Sequence, residues 1–475
     1  MSFIVYDLIF LVIFVLFVSL FLYKGKKNLK KEGSLLLYRT KWGMKFIDKT
    51  GAKYKKTLTF LSYVSITLGY ILMIGGLYLV WTILYVYLFR PDIVRTIKVP
   101  PITPLVPYLP EIFNISFLPP LYVTYWIVMI AIVAIPHEFF HGIFMKRYNI
   151  KIKSTGFGFF PYFLPIFLAA FVEQDEKSMN KSSKFGQLVV LSAGTFANIL
   201  TAIFFFFIFW MFFATAFAPS GIIIEDYSYS IVKVSAITMI NSVYVENPSI
   251  NDLTELVKND TFNDIQTEEA KYVGIKQLFS NTNEYIVLYD NAPAINSDLN
   301  GVITEINGEK ITSLDKLSSE LKKYSPGDKV TIKSINEKNE VEFNEITLGE
   351  NKINGNSFLG IKFPQIEGKG IIGKTFITLS AFKKAEIYYT PKIPGFSIFI
   401  YNMLLWILLA SISVAFVNML PVGIFDGGRF FYLTVLGLTG SEKIAKKSFA
   451  LVTYFFLFLL IVVMIMWVFS IFSLT

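Results

Sequence analysis

The chain has 475 residues, 54% of them hydrophobic and 17% aromatic, with a mean hydropathy of +0.54. That is above the range of a soluble globular domain of this length and points to a membrane protein. The net charge of +9 would suit a nucleic-acid binder, but the basic residues gather beside apolar runs, where membrane topology accounts for them; with no cysteine in the chain, disulfides and thiolate metal sites are excluded.

Six apolar spans are predicted, each long enough for a hydrocarbon core of about 30 Å at about 1.5 Å per helical residue. The first, Ile4 to Tyr23, carries only Asp7 as a charge. It lacks a basic leader region and a small-residue cleavage site, and so reads as an uncleaved anchor. The connection that follows holds twelve basic residues from Lys24 to Lys56 against Glu32 and Asp48. Such an excess marks the cytoplasmic side. The second span, Leu58 to Phe89, has Gly75-Gly76 midway, and a proline-rich loop around Pro100 to Pro120 is then external.

The third span, Leu121 to Met145, runs inward and contains the only two histidines of the chain, in His137-Glu138-Phe139-Phe140-His141. On a helix, residues four apart share a face, so both imidazoles reach one metal ion while Glu138 stays beside it. Two neutral nitrogen ligands, an open position for water and a carboxylate to take a proton fit a zinc hydrolase. Lys146, Arg147, Lys151 and Lys153 follow, placing this centre toward the cytoplasmic side of the bilayer. Residues Ser154 to Val172 are apolar but broken by glycine and proline. Backbone of that kind persists at membrane depth only under a cover of protein or beside a water-filled cavity, so a re-entrant β-element is expected; a hydrophobic interfacial loop is the plainer reading.

The fourth span is Leu188 to Ala218. An insert follows, about Pro219 to Pro394, placed outside by span parity. Its second half predicts a strand at Val302 to Ile306, a hairpin turn at Asn307-Gly308, a helix capped by Ser313 with Leu314, Leu317, Leu321 and Tyr324 on one face, and strands at Lys329 to Lys333 and Val341 to Ile346. Residues Ile222 to Lys276 match no motif. The fifth span, Phe396 to Leu420, runs inward and leads into Asn418-Met-Leu-Pro-Val-Gly-Ile-Phe-Asp426-Gly-Gly-Arg429. The sixth is Phe449 to Leu474. Zinc catalysis uses three protein ligands, yet no further histidine or cysteine exists, so the third must be a carboxylate at the same depth. Asp426 lies in that layer, and an acid within apolar sequence is costly unless paired or metal-bound; Asp-Gly is also ordinary turn chemistry.

Three ordered motifs make the chain resemble the site-2 protease family of intramembrane metalloproteases: His-Glu-x-x-His at His137 to His141, Gly-x-x-x-Asn at Gly194 to Asn198, and Asn-x-x-Pro followed by Asp-Gly at Asn418, Pro421, Asp426 and Gly427. The residue before Asp426 is Phe425, where many relatives carry Leu or Pro, a difference of packing. The resemblance implies a polytopic α-helical membrane protein with a re-entrant β-element and an inserted extracytoplasmic α+β domain. The insert looks like a circularly permuted PDZ domain, about residues 285–363, with Phe358-Leu-Gly-Ile361 similar to a peptide-binding loop. The division expected is 1–57, anchor and basic segment; 58–120, second span and external loop; 121–218, catalytic core; 219–395, insert; 396–440, core span with Asp426; and 441–475, last span.

The family reading gives one Zn²⁺ per chain on His137, His141 and Asp426, Glu138 as general base, and Asn418 and Asn198 as substrate contacts. Asn198 also fits an interhelical hydrogen bond, and Asn418 a cap on a Pro421 kink. Substrates would be transmembrane proteins cleaved within the bilayer in regulated proteolysis, with no nucleic-acid partner. The PDZ-like domain would bind a peptide, filter substrates by external size or serve as a spacer. Two other classes fit parts of the sequence: a zincin with a cytoplasmic site, using Glu173 or Glu176, and an inactive membrane scaffold presenting the PDZ domain.

Overall fold

The computed structural model describes residues 3–32, 35–90, 93–94, 105–113, 115, 118–159, 167–258, 261–275, 284–351, 355–366, 368 and 370–472. Much of the proline-rich loop and residues 160–166, the tip of the expected re-entrant element, lie outside them. The chain separates into two compact units: residues 1–212 with 398–475, and the insert 213–397.

Among the described residues outside the insert, the helices of six residues or more are α1 (Phe3–Lys24), α2 (Met44–Lys53), α3 (Lys55–Phe89), α4 (Val123–Arg147), α5 (Glu176–Lys181), α6 (Lys184–Ala216), α7 (Phe396–Asn418), α8 (Asp426–Thr439) and α9 (Glu442–Phe472). Six of them, α1, α3, α4, α6, α7 and α9, are long and apolar enough to cross a membrane, as a polytopic membrane protein requires. These are the six expected spans. The last begins earlier than its apolar run, at Glu442, where an ion pair from Lys446 to Glu442 at 3.3 Å supports a polar first turn. Helix α4 is the most enclosed, with 44% of its apolar window buried against 6% for α9. The helix that bears the histidines is therefore the centre of the bundle. Helix α3 packs on α6 and α8 through the Ser65–Ser192 hydroxyl pair at 2.8 Å and the Tyr70–Thr434 pair at 3.0 Å.

Asp7 has a role that periodicity does not show. It is buried, and its carboxylate accepts hydrogen bonds from the backbone N–H groups of Val123 and Thr124 at 2.8 and 2.9 Å, the Thr124 hydroxyl and the Tyr108 hydroxyl. The N-cap residue of α4, Tyr122, has no capping side chain of its own. Asp7 supplies that cap from another helix. It satisfies orphan donors, complements the positive end of the α4 dipole and fixes α1 against α4.

A four-stranded antiparallel sheet has the order β1 (Leu29–Glu32), β2 (Leu35–Thr40), β3 (Ile152–Phe159) and β4 (Phe167–Gln174). The expected β-element at Ser154 to Val172 is its second hairpin. The first comes from the basic connection, with β2 paired to β3 from Leu36↔Phe159 to Thr40↔Thr155. Among the described residues, β1 and β4 are the two edges of this sheet.

The insert holds two six-stranded sheets. One has the order Tyr229–Lys233, Tyr285–Asp290, Lys271–Gly274, Asn263–Thr267, Ile237–Ile240 and Val243–Tyr244, over a core that includes Ile240, Leu253, Ile265 and Leu288. It accounts for most of the stretch that matched no motif. The other has a main path of Val341–Thr347, Lys329–Ile335, Val302–Ile306, Phe217–Ile223 and Ile387–Pro391, with the short strand Glu309–Lys310 paired to Val302–Ile306. The expected turn at Asn307-Gly308 is present, both residues having positive φ, and the Ser313 hydroxyl caps the helix Leu314–Leu321 by accepting from the Lys316 N–H at 3.1 Å. The stretch 285–363 is not self-contained. Its first strand belongs to the other sheet, and its own sheet is completed by residues 217–223 and 387–391.

Replacing Asp7 with alanine should strip the α4 cap and cost about 1–2 kcal/mol, read as a lower Tm in detergent. Asp7→Asn, which keeps one acceptor oxygen, should fall between. An unchanged melting temperature for Asp7→Ala would show that the cap contributes nothing.

Candidate metal centre

The two histidines project from one face of α4, and both are buried. Their Nε2 atoms lie 3.1 Å apart. Helix α6 holds each ring from behind. The His141 Nδ1–H donates to the Val190 carbonyl at 2.6 Å, and because a carbonyl only accepts, the Nε2 lone pair of His141 faces inward. The amide of Asn198 reaches Nδ1 of His137 at 3.0 Å.

Asp426 closes the front. It is the first residue of α8, after the N-cap Phe425, and its Oδ2 lies 3.5 Å from His137 Nε2 and 3.3 Å from His141 Nε2. The carboxylate therefore faces the imidazoles and makes no capping bond. Gly427 and Gly428 permit this placement, since a Cβ on either would come within 2.3–2.4 Å of the Met419 or Val422 backbone. The Asp-Gly-Gly sequence lets α8 start tightly against the turn after α7.

Gly194 completes the enclosure. A Cβ there would lie 2.3 Å from His137 Nε2 and 2.4 Å from His141 Nε2. Any side chain would fill the space on which the two nitrogens converge. Two imidazole nitrogens and a carboxylate oxygen around a glycine-lined gap form a donor set that fits zinc.

Glu138 stands beside this set. A carboxylate oxygen of Glu138 and the ring nitrogens lie within 4.8 Å of one another, so Glu138 competes with Asp426 as third ligand. Two facts favour Asp426. Its Oδ2 is within 3.5 Å of both Nε2 atoms, and Glu138 Oε2 already accepts the Val172 N–H of β4 at 2.9 Å. Glu173 and Glu176 are committed elsewhere. The Ser154 hydroxyl and the Arg39 guanidinium hold the Glu173 carboxyl below its usual range, at 2.7 and 3.0 Å, while Glu176 accepts from Gln174 at 2.8 Å.

An apolar cleft of about 230 Å³ opens next to the histidines, lined by His137, Glu138, Ala169, Ala170 and Asn418 among others. Asn418, expected as a substrate contact or a cap on the Pro421 kink, is one of the residues on its wall. Asn198 is fully buried behind His137, where its amide makes the interhelical hydrogen bond that was the other expectation for it. The Val190 carbonyl and the Val172 N–H escaped sequence reading altogether, being backbone groups that any residue offers. The four-residue spacing of Gly194 and Asn198, which puts them on one helical face, was the available signal for the third element.

The sequence profile of peptidase family M50 matches residues 125–463. A zinc metalloprotease, RasP, from Shouchella clausii (strain KSM-K16), is 24% identical over 214 residues, 39% of this chain and 51% of the relative. The chain spans about half the length of the curated relative it matches.

Metal analysis of purified protein should find one zinc per chain, absent from His137→Ala and strongly reduced in Asp426→Ala. Full occupancy in Asp426→Ala would remove that carboxylate from the ligand set.

Proposed function

The chain belongs to peptidase family M50, the site-2 protease family, and from that membership we propose that it is an intramembrane zinc metalloendopeptidase. Its substrates are membrane-tethered regulatory proteins, cut within or near their transmembrane helices. The observation that carries the proposal is the convergence of His137 Nε2, His141 Nε2 and Asp426 Oδ2 within 3.5 Å of one another, with Glu138 alongside. Those three residues hold the metal. Zinc, when bound there, would act as a Lewis acid and lower the pKa of water to about 7.

Glu138 is the general base. Val172 fixes one of its oxygens, leaving the other to take a proton from the attacking water and return it to the leaving amine. A helical substrate hides its carbonyls in its own hydrogen bonds and has to unwind first. Strand β4 supports that step. It is a sheet edge, and Val172 spends its N–H on Glu138; by ladder alternation Ala170, two residues earlier, also turns its N–H and C=O away from β3. Ala170 lines the cleft together with Asn418, so an unwound segment pairs there by strand addition.

The basic connection from Lys24 to Lys56 supports an orientation with the metal centre toward the cytoplasmic side and the insert outside. We assign the second sheet of the insert, with the helix Leu314–Leu321 and the loop Phe358-Leu-Gly-Ile361, to a PDZ-like domain. Gly360, with φ of 81°, supports the tight loop that such a domain uses.

Glu138→Gln should keep one zinc per chain while cleavage of a transmembrane substrate in detergent falls at least about 100-fold. Wild-type turnover by this variant would assign the base to another group. For topology, Ser318→Cys offers a unique thiol on an exposed helical position, because the native chain has none. A membrane-impermeant maleimide should label it from outside intact cells, and labelling only after permeabilisation would reverse the orientation.

A further inference from the structure

Asn198 carries an unmet requirement. Its Nδ2 lies 3.0 Å from His137 Nδ1, yet its Oδ1 is buried with no hydrogen-bond partner. A buried acceptor left without a donor costs about 1–3 kcal/mol. Which amide atom faces His137 sets the tautomer of that ring. With Nδ2 donating, His137 Nδ1 is the bare nitrogen and the ring proton sits on Nε2, pointing at His141 Nε2 3.1 Å away. With the amide turned by 180° about Cβ–Cγ, Oδ1 takes the place of Nδ2. His137 then carries its proton on Nδ1 and donates it to that oxygen, and the Nε2 lone pair is released into the gap beside Gly194.

We propose that Gly194 and Asn198, one turn apart on α6, are positioning residues for the metal: Asn198 Oδ1 accepts the His137 Nδ1–H and so fixes the tautomer that can ligate, while Gly194 keeps the ligation volume free of a side chain. The proposal rests on the reading of His137 and His141 as zinc ligands. Both imidazoles are then treated alike by one helix. The Val190 carbonyl accepts from His141 Nδ1 and the Asn198 carbonyl oxygen from His137 Nδ1, and the two Nε2 lone pairs meet. A carbonyl or carboxylate behind a metal-bound histidine orients the ring and raises its basicity, and loss of such a partner weakens metal binding about 10–100-fold. The purely structural role, a hydrogen bond that binds α6 to α4, makes a different prediction. It lowers thermal stability and leaves the metal affinity untouched.

Chelator competition on full-length protein in detergent gives the zinc dissociation constant of wild type, Asn198→Leu, Asn198→Asp and Gly194→Ala. Asn198→Leu should weaken binding about 10–100-fold, Asn198→Asp should restore it because a carboxylate is acceptor-only, and Gly194→Ala should lose zinc. Nitrogen-15 NMR of imidazole-labelled protein provides a readout independent of activity, since two histidines give four ring nitrogens. In zinc-loaded wild type both Nδ1 atoms should be protonated, and in Asn198→Leu only the His137 Nδ1 signal should shift. A wild-type zinc affinity in Asn198→Leu with unchanged imidazole signals would overturn the proposal and leave the ligand assignment standing. A wild-type protein with no specific zinc affinity would overturn both.

Discussion

The arrangement depends on how two imidazoles are made to share one point. Left to themselves, neighbouring histidines on a helix swing about χ1 and χ2 and accept protons independently. Here each Nδ1 is held from behind by α6, through the Val190 carbonyl and the Asn198 amide, and the two Nε2 atoms are brought to 3.1 Å. Gly194 provides the room for that approach, and Asp426 meets the pair from the front. Helix α6 is thus the template on which α4 is read. Helix α3 supports it through Ser65 and Ser192, from the side away from the histidines.

The apolar setting explains why so many polar groups here are tied across elements. Unpaired polar atoms in hydrocarbon cost several kcal/mol, so each must find a partner inside the protein. Asp7 finds four donors around the start of α4, and Glu138 finds the Val172 N–H. Arg39 of β2 and Ser154 of β3 both hold Glu173 of β4, which ties the two hairpins of the sheet together beside the strand that contacts Glu138. These are also the bonds that fix geometry. A sheet that holds Glu138 and a helix that holds His137 and His141 leave little freedom at the centre. The cleft between them offers apolar walls and one outward backbone edge, which suits an extended segment better than a helix.

Much of this was legible from one sequence. Span lengths follow from hydropathy, and the pairing of His137 and His141 follows from helical spacing. Asp426 follows from parity and the exhaustion of other ligands. What remained hidden is non-local or belongs to the backbone. The strand pairing of Leu36 with Phe159 joins residues more than a hundred positions apart, and the β1–β2 hairpin lies within a lysine-rich connection whose charge dominates any local reading. The role of Asp7 stayed hidden because its partners, Tyr108, Val123 and Thr124, are more than a hundred residues away. For Asn198 the sequence left substrate contact and an interhelical hydrogen bond both open, because its depth behind His137 depends on how α6 turns against α4. Residues 222 to 276 gave no motif because their short strands are stabilised by one another and by the later strand Tyr285–Asp290.

The central claim is that two imidazoles and a carboxylate of this chain hold one zinc ion. X-ray absorption at the zinc edge of purified protein tests it most directly, because imidazole rings give outer-shell scattering that carboxylates and water do not. The account predicts a four-coordinate ion with two imidazole nitrogens at about 2.0–2.1 Å and the remaining ligands oxygen at about 2.0–2.2 Å. A spectrum with one imidazole or none, or with six oxygen ligands, would contradict it.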